Sequence, residues 1–113
     1  MENRHHSFWM RRNYKTPLER AFRNHHGLVI PTDVDLHKEL HAHMSPPPKP
    51  NRDLMIGIIN NLEDHHLTHP LDGLLFTIDY VEDRNERLTN HLVTQLGYLG
   101  VEGVGYEVQR IMF

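Results

Sequence analysis

The run Ser45-Pro46-Pro47-Pro48-Lys49-Pro50 limits the fold of this chain more than any other feature. Proline locks φ near −65° and removes a backbone donor, so neither a helix nor a central strand passes through four of them. The run reads as a stiff, extended connector over 46–50, joining a half at 1–45 to a half at 51–113. A chain of 113 residues has room for one modest core, so a single domain spanning 1–113 is expected.

Charge changes sign at the same place. Residues 1–52 hold nine basic and five acidic side chains, and residues 53–113 hold three basic and ten acidic ones, giving +4 and −7. The basic half suits a polyanion, and the acidic half repels one. Equally, the two halves can simply pack against each other.

Capping signals place the helices. Thr16 is a good N-cap, Pro17 fits the first helical position, and Glu19 completes a Thr-x-x-Glu capping box for a helix to about Asn24. Asp33 caps a second helix over about 34–44, with Leu36, Leu40 and Met44 in one apolar stripe. Asn51 or Asp53 starts a third, to about Leu62; a fourth covers Leu71 to Val81 and a fifth Arg84 to Tyr98. The β-branched run at Leu28-Val29-Ile30 predicts a small strand stopped by Pro31, and Val101 to Phe113 a terminal strand or docked tail. The segment from Ser7 to Tyr14, with Trp9, reads as a short element or an arm folded on the core. The fold class is mainly α (α+β), with about five short helices.

Without cysteine, there is neither a disulfide nor a thiolate site, and any bound metal must use His, Asp or Glu. No apolar run approaches the ~20 residues of a membrane span. Met1 to His6 lacks the apolar stretch of a secretory signal, so a cytoplasmic protein is expected.

Eleven histidines give the chain its chemistry. His37 and His41 stand one helical turn apart, so both imidazoles project from one face and can reach one ion at ~2.0–2.1 Å. A third ligand must come from elsewhere, and the adjacent His25-His26 pair is the nearest supply. Neighbours on a straight strand point to opposite faces, so that pair can share a site only if the chain bends, as Gly27 allows. Asp64, His65, His66 and His69 form a second cluster, in a loop. His5, His6 and His43 read as solvated, and His91 as structural.

The elements His25-His26, Leu28-Val29-Ile30-Pro31 and Leu36-His37-x-x-x-His41 together resemble the His-Me finger (HNH-type) nucleases. Their ββα unit begins with a His-His pair and ends with metal-binding histidines on a helix. The resemblance covers about 20 of 113 residues. It implies a metal-dependent phosphodiesterase in which His26 is the general base and His25, His37 and His41 hold a divalent ion, Zn or Mg, Mn or Ni. Arg20, Arg23 and Lys38 would then bind the phosphates of DNA or RNA.

A non-enzymatic reading stays open on the same residues. In it, a small helical protein occupies a host-protein or nucleic-acid surface, and its histidines are structural or hold a closed metal site. The chain also resembles, in texture, small early proteins of actinobacteriophages, which implies the host cytoplasm. A third reading has the histidine clusters change charge near pH 6.

Overall fold

The computed structural model describes residues 2–99. The elements run β1 (Glu2–His6), α1 (Pro17–Arg23), β2 (Val29–Asp33), α2 (Val34–His43), α3 (Arg52–Glu63), α4 (Asp72–Val81) and α5 (Glu86–Tyr98), with short 3-10 turns at Arg11–Asn13 and His26–Leu28. The five expected helices are all present. The strand or tail expected in 101–113 lies outside the described residues.

The helices begin where their caps demand. Thr16 Oγ1 accepts from Glu19 N at 3.1 Å, and Glu19 Oε1 accepts from Thr16 N at 3.0 Å, closing the capping box. Asp33, Asn51 and Asn85 cap α2, α3 and α5 through their side chains.

β1 and β2 form a two-stranded antiparallel sheet with Arg4 opposite Pro31 and His5 opposite Ile30. Pro31 therefore does not stop the strand. It sits inside β2, tolerated because neither strand is flanked on both sides. Alternation sends Ile30 and Thr32 inward with His5, while Pro31 and Asp33 face out. His5 is thus fully buried, contrary to its expected solvation.

α4 lies centrally, packed against α3, α5 and the 3-10 turn at His26–Leu28. Its closest approach is glycine on glycine: a Cβ on Gly73 would overlap the backbone of Gly27. Phe8 packs on Phe22 with ring centroids 4.7 Å apart, tying the N-terminal segment to α1. Leu40 of α2 is fully buried, with Leu36 and Met44 half-buried beside it. α2 in turn lies against both strands and α5. The two halves of the chain also meet through α1 on α3, and a Lys49–Glu19 ion pair ties the connector to α1. No helix among the described residues is long and apolar enough to cross a membrane.

Candidate metal centre

The burial of Leu40 fixes the rotation of α2. It leaves His37 half-buried and His41 exposed, a quarter turn away from the core stripe. Their Nε2 atoms stand 2.9 Å apart, as the one-turn spacing requires. Against them β1 presents His5, its ring centroid 5.1 Å from that of His37 and 5.6 Å from that of His41. One ring nitrogen from each of His5, His37 and His41 falls within 4.8 Å of the others, the one such group of three among the described residues. Ligands of one tetrahedral ion at ~2.0–2.1 Å stand roughly 3.3–3.4 Å apart, so an ion would draw His5 in toward the helical pair and open the 2.9 Å His37–His41 contact slightly.

His5 is held as a ligand is held. Gln95, fully buried on α5, donates from Nε2 to the Ser7 carbonyl at 3.1 Å. A carbonyl only accepts, so that contact fixes which way the amide faces and turns Oε1 toward His5. Oε1 lies 2.6 Å from His5 Nε2, which must therefore carry the proton and donate. The proton-free nitrogen of His5 is then Nδ1, which is buried and has no hydrogen-bond partner. A metal-ligating imidazole commonly has this arrangement, with one nitrogen anchored to an oxygen and the lone pair of the other free. Trp9 walls the site, its ring 5.5 Å from His5 and 4.8 Å from His41.

Electrostatics keep the three rings neutral. Burial, and then the neighbouring His37, His41 and His6, push His5 down to about 4, against the hydrogen bond it donates to Gln95. Burial lowers His37, and burial together with His37 lowers His41. Neutral imidazole is the form that binds metal. Asn3 Nδ2 donates to His37 Nδ1 at 3.1 Å. For His37 Nε2 to ligate, the imidazole's own proton must sit on Nδ1 and the Asn3 amide must turn to present its oxygen.

Of the residues expected to hold metal, His37 and His41 come together, and the third imidazole beside them is His5 rather than His25. Both nitrogens of His25 are engaged elsewhere. Nδ1 accepts from Gly27 N at 3.0 Å, and Nε2 donates to Glu63 Oε1 at 2.7 Å. The bend at Gly27 does bring His25 and His26 together, but stacked, with centroids 4.5 Å apart. Docking of Gly27 on Gly73 holds them there, and the exposed His26 sits in a shallow hollow with Leu67, His69 and Pro70. In the second cluster, His65 bonds the Asn61 carbonyl and stacks on Phe76, and His69 Nδ1 accepts from Leu71 N. His91 donates to the Ser45 carbonyl at 2.7 Å.

Arg20 and Arg23 line a groove of about 820 Å³ with His6, Arg11, Arg12 and Lys15. Lys38 is exposed on α2 and does not line it. His5 escapes a sequence reading because β1 is polar throughout, with no hydrophobic alternation. The available signal was the apolar run at 28–30, since an isolated strand needs a pairing partner from elsewhere in the chain. No protein-family model, curated protein or solved structure matches this chain.

Proposed function

We propose that this is a divalent-metal-binding protein whose His5, His37 and His41 hold a zinc-class ion, with a fourth coordination position facing solvent beside His41. The observation that carries this reading is the buried, partnerless Nδ1 of His5, on a ring whose other nitrogen is anchored by Gln95. An orphaned buried acceptor costs about 1–3 kcal/mol, and a metal removes that penalty. Three imidazoles without a carboxylate suit zinc, copper, nickel or cobalt far better than magnesium or manganese, which require oxygen ligands. Because His5 lies on β1 and the other two on α2, the ion ties the N-terminal strand to the helix.

Titration of untagged protein with zinc, read by calorimetry and elemental analysis, tests this. One equivalent should bind the wild type, and none should remain on the His37→Ala/His41→Ala double variant. Wild type that retains no zinc after dialysis would remove the proposal. His41 is exposed, so the single His41→Ala variant should fold and provides a second check.

A metal-dependent phosphodiesterase on this site is the second reading, favoured by the cationic groove that shares β1 with the histidine cluster. It leaves His26 without a part, because His26 is not in the cluster and lines a separate hollow with His69 and Pro70. Nicking of supercoiled DNA with zinc or nickel would then disappear in His37→Ala and persist in His26→Ala. Absence of nicking in the zinc-loaded wild type would leave a metal-binding protein without this activity.

A further inference from the structure

The groove of about 820 Å³ is lined by Arg11, Arg12, Lys15, Arg20 and Arg23, with His6 and Asn24 at its wall. No acidic side chain among the described residues lines it. Among the described residues, none of these five cations has a carboxylate within ion-pair distance. The nearest candidate, Glu19, is occupied by Lys49 and by its own capping box. Tyr14 also lines the groove but does not neutralise it, since burial pushes the phenol up to about 12.

Like charges gathered this way repel. Burial, and then Arg11, push Arg23 below its ordinary value, and burial followed by Arg23 and Arg4 lowers His6. Arg23 Nη1 donates to Asn24 Oδ1 at 3.1 Å, while its Nε is buried with no partner. Met10, at φ 74°, takes the left-handed region that non-glycine residues avoid, and from it the 3-10 turn carrying Arg11 and Arg12 departs. Unpaired, converging guanidinium groups with an unused donor match a multiply charged oxyanion, because Arg forks fit phosphate oxygens two at a time.

We propose that this groove binds the phosphate backbone of a nucleic-acid strand. One free phosphate would leave most of five positive charges uncompensated, whereas successive phosphodiesters supply one charge each. Tyr14 lines the groove but is buried, so its ring offers bases no exposed face, and contacts to phosphates alone make binding independent of sequence. The acidic half at 53–113 repels the strand elsewhere and steers it to this groove. Binding here does not require the metal site.

The test is fluorescence anisotropy with a labelled single strand of about twelve nucleotides. It is run with EDTA present, so that failure of the metal reading cannot cause failure here. Five contacts give a slope of log K against log salt of about −3.5 for a single strand. Arg11→Gln/Arg12→Gln should weaken binding about tenfold near physiological salt and reduce the slope to about −2. Arg87→Gln, an exposed arginine on α5, should change neither. Both variants should melt like the wild type, as the replaced side chains are exposed. Three results would overturn the proposal: no binding at low salt, equal weakening by Arg87→Gln, or inorganic triphosphate binding more tightly than the strand. The last would assign the groove to a small polyphosphate. Duplex DNA of the same length, run in parallel, shows whether the strand must be single.

Discussion

Replacing Gln95 by Leu separates the fold from the metal site in one experiment. The side chains are close in volume, so the core stays filled, but the amide is lost. Its Nε2 bond to the Ser7 carbonyl and its Oε1 contact with His5 Nε2 go together. Both partners are buried, out of reach of solvent. Each buried group left unpaired costs about 1–3 kcal/mol, giving about 2–6 kcal/mol in total. That is a large share of the roughly 5–15 kcal/mol available to a domain of this size. Urea unfolding at pH 7 in EDTA should show this loss, and the melting temperature should fall by about 8 °C or more. Zinc affinity, measured on the folded variant, should drop about 10–100-fold, because His5 then lacks the contact that fixes its tautomer and ring orientation. A stability loss below about 1 kcal/mol would refute the premise that His5 and the Ser7 carbonyl depend on Gln95. Unchanged zinc affinity, alongside its loss in His37→Ala/His41→Ala, would refute the orienting role even if stability falls.

In EDTA, the folded protein should lose stability as pH falls from about 6.5 toward about 4, because unfolded His5 takes up a proton there and the folded ring does not. His5 alone contributes about 3 kcal/mol to that loss, with His37 and His41 adding in the same direction, and urea midpoints across this range should record it. A flat profile would mean that His5 is not buried in solution. Gly73→Ala should cost more than about 3 kcal/mol or prevent folding, because the added methyl meets the Gly27 backbone, whereas Gly57→Ala meets only the end of the Tyr80 ring, which can swing away. Similar urea midpoints for the two variants would contradict this difference. Asn85→Ala removes the acceptor for Leu88 N at the start of α5 and should cost about 1 kcal/mol in the same assay.

The helices were legible because their signals are local. Thr16 with Glu19, Asp33 and Asn51 act within three residues of where they stand, and each does in the fold what its chemistry requires, whereas the expected start of α5 at Arg84 passed over its cap, Asn85. The spacing of His37 and His41 is local in the same sense. A helix one turn long determines their separation whatever surrounds it. The β1–β2 pairing is not local. Glu2-Asn3-Arg4-His5-His6 has no strand propensity to announce it and becomes a strand because Val29–Asp33 offers an unpaired ladder. Everything that depends on this pairing was hidden with it, including the burial of His5.

The contrast between His5 and His25 shows which kind of evidence makes a third ligand. His25 is near the helical pair in sequence, but its nitrogens serve the turn at Gly27 and Glu63, so it has no lone pair to offer. His5 lies 32 residues before His37 and is oriented by a glutamine 90 residues away, yet keeps one nitrogen free. For His25, the local turn takes Nδ1 and Glu63 takes Nε2, so both ring nitrogens are used. A ligand needs one nitrogen fixed and one unused, and in this chain only a long-range contact achieves that for a buried ring. The sheet that brings His5 to α2 carries His6 toward the groove of arginines. Strand alternation therefore separates a neutral, metal-suited face from a cationic, phosphate-suited one across a single residue step. Substitutions that disrupt β1 should impair both, whereas those at His41 or Arg11 should impair one alone.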